Sequence, residues 1–149
     1  TFEYQNHPVK ACGLLVWTES KGEKWTLFRK HKGKWSDMGG KTDAVDKTIL
    51  DTVVREVCEE TNNSLFCTND DSCASKVRDI IETHSSKMFY DAKCKYLLFH
   101  CKVDEKLLST PLSRFGKSEG SNTHEYRWFT GWPRCPELHF RLRGFQHRV

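Results

Sequence analysis

The chain has 149 residues, enough to bury one sizeable core and short for two domains. Aromatic residues make up 12%, with five tryptophans, which argues against a disordered chain. Lys and Arg outnumber Asp and Glu by 24 to 20, a net charge of +4 that suits an anionic substrate without demanding one.

Seven cysteines lie at positions 12, 58, 67, 73, 94, 101 and 135, and no Cys-x-x-Cys pair exists, so a zinc knuckle is not expected. The odd count and scattered spacing predict reduced thiols in an intracellular protein, cytoplasmic or nuclear. Cys12 and Cys101 sit in apolar runs and read as core residues. No segment is apolar and long enough to cross a bilayer and no signal peptide is legible, so no membrane partner is expected. Asn62-Asn63-Ser64 matches a glycosylation acceptor, which carries little weight without a secretion signal. Thr1 in place of Met reads as a processed or excised domain.

In chain order, "VKACGLLVWT" (9–18) predicts an apolar strand and "KGE" (21–23) a turn. "KWTLFRK" (24–30) alternates, so Trp25, Leu27 and Arg29 share one face and Phe28 takes the other. Arg29 then ends an apolar row near a rim or cleft. Residues 31–41 are turn-rich, with a short strand over Trp35–Met38. A helix pattern spans 46–61, a capped loop 67–72, and a second helix 72–84 with Val77, Ile80 and Ile81 on one face. Strands follow at 87–92 and 95–103, the latter apolar enough to be central. A polar loop (109–123), an aromatic strand (124–132) and a terminal helix (136–149), weakened by Gly144, complete the chain. Strands before and after helices predict one mixed α/β sandwich spanning 1–149.

The first helix poses a problem. Its last turns carry Glu56, Glu59 and Glu60, where the helix dipole disfavours negative charge by about 0.3–1 kcal/mol each. At about 100° per residue, with Ile49 at zero, the apolar stripe runs from Val53 at about 40° to Val54 at about 140°. Glu60 falls at about 20° and Glu56 at about −20°, bordering the stripe, with Glu59 on the outer flank at about −80°. A solvated acidic helix end would point away from the core. A hard divalent cation would resolve both the repulsion and the placement. Asp51 and Glu59, four residues either side of Arg55, favour ion pairs that would orient Glu59. Gly39-Gly40 lets a loop approach a ligand closely and adopt positive φ.

These residues resemble the Nudix hydrolase box, a glycine and a glutamate followed by Arg-Glu-apolar-x-Glu-Glu. Gly40 matches the glycine and "REVCEET" (55–61) the second half, over about a sixth of the chain. "WTLFRKHKGKWSDMGGK" and "HEYRWF" also resemble the family's flanking strands. The first glutamate is absent. Asp46 fills its place counted forward from Gly40, and Lys47 counted back from Arg55. Asp46 reads equally as a helix N-cap. Asn62 replaces the closing glycine, Asn63 the apolar residue after it, and Met38 stands where many members carry proline.

The resemblance implies an α/β/α sandwich with a mixed sheet and hydrolysis of a nucleoside diphosphate linked to another moiety. It implies that Glu56, Glu59, Glu60 and the Gly40 carbonyl hold Mg²⁺, with Mn²⁺ as the alternative ion. Glu59 or Glu60 serves as base and Arg55 orients the carboxylates. Arg29 and Lys41 would neutralise phosphate oxygens, with a solvated role as the alternative for each. Glu125 falls where some members keep another catalytic carboxylate, or is an exposed strand charge. Trp35 reads as a base-stacking ring or as core. The partner is then a nucleotide-type small molecule. Capped RNA is the runner-up, through Arg134, Arg141, Arg143 and Arg148, which read more simply as a solvated helix face. A non-catalytic nucleotide-binding module is the competing class.

Overall fold

The computed structural model describes residues 1–61, 65, 73–83, 87–115 and 125–149. The 62–64 acceptor, the 67–72 loop and the 116–123 part of the polar loop lie outside the described residues. A hairpin that the sequence does not announce opens the chain, β1 (Phe2–Tyr4) pairing with β2 (His7–Val9). The main sheet has seven strands and is mixed. The order β5-β4-β3-β8-β7 runs through β5 (Lys34–Ser36), β4 (Glu23–His31), β3 (Ala11–Ser20), β8 (Tyr96–Lys102) and β7 (Lys87–Asp91). Strand β6 (Met38–Lys41) pairs with β3, and β9 (Glu125–Phe129) with β4. Among the described strands β3 and β8 are the parallel pair, from Ala11 beside Tyr96 to Trp17 beside Lys102, and the other pairings are antiparallel.

Three two-residue hairpins turn through positive φ at both central residues: Gln5-Asn6, Lys21-Gly22 and Lys32-Gly33. That is the sense that matches strand twist.

Residues alternate across the sheet, so the long strands β3, β4 and β8 feed two cores. On one face Leu14, Val16, Leu27, Leu97, Phe99 and Tyr126 pack under α1 (Ile49–Glu60) and α2 (Cys73–Thr83). On the other, Leu15, Phe28, Trp35, Tyr96 and Leu98 pack under Leu138, Leu142 and Phe145. Cys12 and Cys101 are fully buried, as expected, and burial raises their thiols to about 12 and about 11.

Helix α1 starts where its cap allows. Thr48, not Asp46, is the N-cap: its hydroxyl accepts from the Asp51 amide, while the Asp51 carboxylate accepts from the Thr48 amide. At the other end Thr61 closes the helix with its amide and hydroxyl on the Val57 carbonyl. The expected terminal helix shrinks to α3 (Phe140–Arg143) after a 3-10 turn at Cys135–Glu137. Leu138, Leu142 and Phe145 dock into the second core individually, and so short a piece cannot sustain itself by backbone bonding.

Candidate active site

The diglycine is not a bend. Gly39 and Gly40 lie inside β6, opposite Gly13 and Cys12, and neither has positive φ. Close approach is what demands them. A Cβ on Gly40 would meet the Glu56 carboxyl at 2.5 Å, and one on Gly39 would strike the Tyr96 hydroxyl, the Cys12 carbonyl and the Gly13 Cα. The strand thus slides against the last turns of α1 and brings two of the three glutamates to it. The Gly39 amide donates to Glu60 Oε2 at 2.9 Å, and Glu60 Oε1 lies 3.1 Å from Arg29.

Arg55 organises the rest. Its Nε and Nη2 grip both oxygens of Asp46 at 3.0 and 2.9 Å, a two-pronged pairing only a guanidinium makes. Nη2 also donates to the Lys41 carbonyl at 3.1 Å. Nη1 reaches Glu56 at 3.0 Å and Glu59 at 3.5 Å. The expected Arg55–Glu59 pair is therefore present. Asp51 instead turns to Arg78 of α2, at 2.6 Å. Asp46, also accepting from Thr52 at 2.8 Å, is held down at about 2, chiefly by Arg55. It serves as the counter-ion that fixes Arg55, where the sequence offered either the place of the box's first glutamate or a helix cap.

Burial sorts the three glutamates. The Glu60 side chain is 13% exposed and Glu56 15%, whereas Glu59 is 59% exposed. Desolvation raises Glu60 to about 8, outweighing the attraction of Arg29. Glu56 is raised for the same reason against the pull of Arg55. The dipole penalty at this helix end is thus offset by two arginines and one strand amide. Among the described residues, no three acidic, His or Cys side chains converge closely enough to enclose a metal ion.

Other expected site residues fall elsewhere. Arg29 is buried against Glu60 and is not open to a phosphate. Trp35 is 3% exposed, edge-on to Phe129 in the second core, and is not a stacking surface. Glu125 pairs with Arg127, which lies over Trp35, so strand alternation sends it to the face opposite Glu60. Its neighbour Tyr126 takes the near face and donates its hydroxyl to the Glu60 carbonyl. Lys41 is exposed beside Gly40.

The sequence missed a buried network behind the diglycine. Asp37, 0% exposed, accepts from Ser36 and the Tyr96 hydroxyl and is ion-paired to Arg141 at 2.8 Å. Burial pushes the Tyr96 hydroxyl well above its usual range. Arg141 therefore belongs to the interior, not to a solvated helix face. Arg148 lies over Phe145 and donates to the Tyr90 carbonyl, and Arg143 donates to the Leu138 carbonyl. Arg134, Arg143 and Arg148 remain exposed, so Arg141 is the member of the four that leaves the surface.

No protein-family model matches the chain, and no curated protein matches it. Among solved structures, a C. elegans Ap4A hydrolase binary complex matches at 16% identity. That match covers 80% of this chain and 78% of that one, with a TM-score of 0.43. A second structure of C. elegans Ap4A hydrolase matches at 19%, covering 81% and 79%, with a TM-score of 0.39. The NUDIX domain of Shewanella oneidensis NrtR, complexed with ADP ribose, matches at 14%, covering 89% and 75%, with a TM-score of 0.42. At such scores the likenesses carry no weight for function, which rests on this chain's own residues.

Proposed function

We propose that the chain is a Nudix-type pyrophosphohydrolase, dependent on a divalent cation and acting on a nucleoside diphosphate linked to another moiety. The observation that carries this reading is the Arg55 clamp. Asp46 fixes two arms of the guanidinium, and the third gathers Glu56 and Glu59 beside Gly40. The donors fit a hard ion, being all oxygen. Magnesium fills its shell with water and substrate phosphates, so Glu56, Glu59 and the Gly40 carbonyl would suffice as its protein anchors. When bound, the ion would polarise the pyrophosphate and acidify the attacking water.

The chain's own groups divide the remaining work. Arg55 orients two carboxylates. Glu59, the most exposed of the three, meets substrate and solvent. Glu60, raised by burial against the pull of Arg29 and held by the Gly39 amide, is the group placed for proton transfer. Lys41, exposed beside Gly40, is placed to neutralise a phosphate oxygen.

One observation favours a second reading, a nucleotide-binding module without turnover: the acids already have arginine partners in this state. A panel of nucleoside triphosphates, dinucleoside polyphosphates, nucleotide sugars and capped RNA, with Mg²⁺ or Mn²⁺, separates the two. Hydrolysis should fall roughly a hundredfold or more in Glu59→Gln and Glu60→Gln. Unchanged rates in both variants refute the site. Binding with no release of product by the unmodified chain establishes the module.

A further inference from the structure

Cys58 and Cys73 play no part in the site, yet they meet at the joint between its helix and the next. Cys58 lies near the end of α1, and Cys73 is the first residue of α2. Their sulfurs are 3.0 Å apart in the interior, with Cys58 8% and Cys73 0% exposed. That is inside ordinary sulfur–sulfur contact, and bond formation asks for only about 1 Å of further approach. The two positions are 15 residues apart, so closure is a medium-range link rather than a local turn. Cys58 occupies the buried side of the turn whose outer side carries Glu59. Nearer the start of α1, the Asp51–Arg78 ion pair already joins the two helices.

We propose that Cys58 and Cys73 form a reversible disulfide that locks the glutamate-bearing end of α1 to α2. The oxidant is a low-molecular-mass disulfide. One cysteine thiolate attacks it, forming a mixed disulfide and expelling one small thiol. The second cysteine thiolate then displaces the other small thiol. The protein sulfurs lose two electrons, the small disulfide gains them, and the two cysteine protons leave on the two small thiols. Neither partner is open to solvent, so oxidation is slow and waits on opening of the α1–α2 joint. The bond does not depend on the proposed hydrolysis.

The test uses the full chain titrated with oxidised glutathione. The expected product loses about 2 Da, the mass of two hydrogens, with no retained glutathione. It yields a peptide cross-linking Cys58 to Cys73, and dithiothreitol reverses it. Amide exchange over the last turn of α1 slows in the oxidised form. Cys67→Ser should keep the bond, and Cys73→Ala should abolish it. If Cys73→Ala fails to fold, mapping on the unmodified chain decides alone. Glutathione adducts without a protein disulfide overturn the proposal, as does a cross-link that runs through Cys67.

Discussion

Replacing Gly40 and Gly39 separately by alanine probes how the strand meets the helix. At Gly40 the new methyl would lie 2.5 Å from Glu56 Cδ and Oε1, where ordinary contact begins at 3.4 Å. The carboxylate must retreat by about 1 Å, and overpacking of this kind costs about 1–3 kcal/mol. Glu56 is a side chain and can move, but retreat strains its 3.0 Å bond to Arg55. The stability cost should therefore sit near the low end, at about 1 kcal/mol. Divalent-cation affinity should fall about tenfold, the equivalent of about 1.4 kcal/mol. At Gly39 the obstacles include the Cys12 carbonyl and the Gly13 Cα at 2.6 Å, which are backbone of β3. Those strands must part, so Gly39→Ala should cost about 3 kcal/mol or more. Urea denaturation in chelator gives the stabilities, and calorimetric Mn²⁺ titration gives the affinity. If Gly40→Ala binds Mn²⁺ as the unmodified chain does, or is as unstable as Gly39→Ala, the close-approach account is wrong.

In chelated, metal-free buffer the folded Glu60 binds its proton more tightly than the unfolded chain does. Its contribution is complete below 4.5 and is lost as pH rises through about 8, and Glu56 shifts in the same direction. The urea midpoint should thus decline across that window, and Glu60→Gln should flatten the decline. Asp46 works oppositely, its contribution being present above 3.8 and lost as pH falls to about 2, so Asp46→Asn should blunt acid sensitivity. Arg141→Met strands the buried Asp37 and should cost about 3–5 kcal/mol by urea denaturation. Trp35→Ala should cost about 3–5 kcal/mol of stability, with a substrate KM that holds in the folded fraction. A large rise in KM would return the ring to the binding site. Arg55→Lys keeps the charge but loses the two-pronged grip on Asp46. Turnover should fall at least about tenfold at unchanged fold by circular dichroism.

The readable parts of this chain are those whose physics is local. The wheel of α1 placed Val53, Val54 and the flanking glutamates correctly because helical geometry alone fixes them. Alternation along β4 likewise put Arg29 and Leu27 on one side and Phe28 on the other. The failures involve distant partners. Asp37 and Arg141 are 104 positions apart, and no pattern around either announces the pair. Asp46 looked like a cap because capping residues and counter-ions are the same residue types, and only Thr48 taking the cap separates the roles. Glu125 resembled a family carboxylate in position along the chain. One step of strand register decides the face it occupies, and that register is set by the pairing of Tyr126 with Arg29.

The left-handed tips leave room for improvement by design. Lys21 and Lys32 each hold a conformation that a branched-free but Cβ-bearing side chain adopts reluctantly, each followed by a glycine that fits it. Asparagine relieves that reluctance through its short polar arm, so an Asn-Gly corner at both places should toughen the protein by a few tenths of a kcal/mol each without touching the acidic helix. Such a chassis would let the harsher glycine and arginine substitutions be expressed and measured.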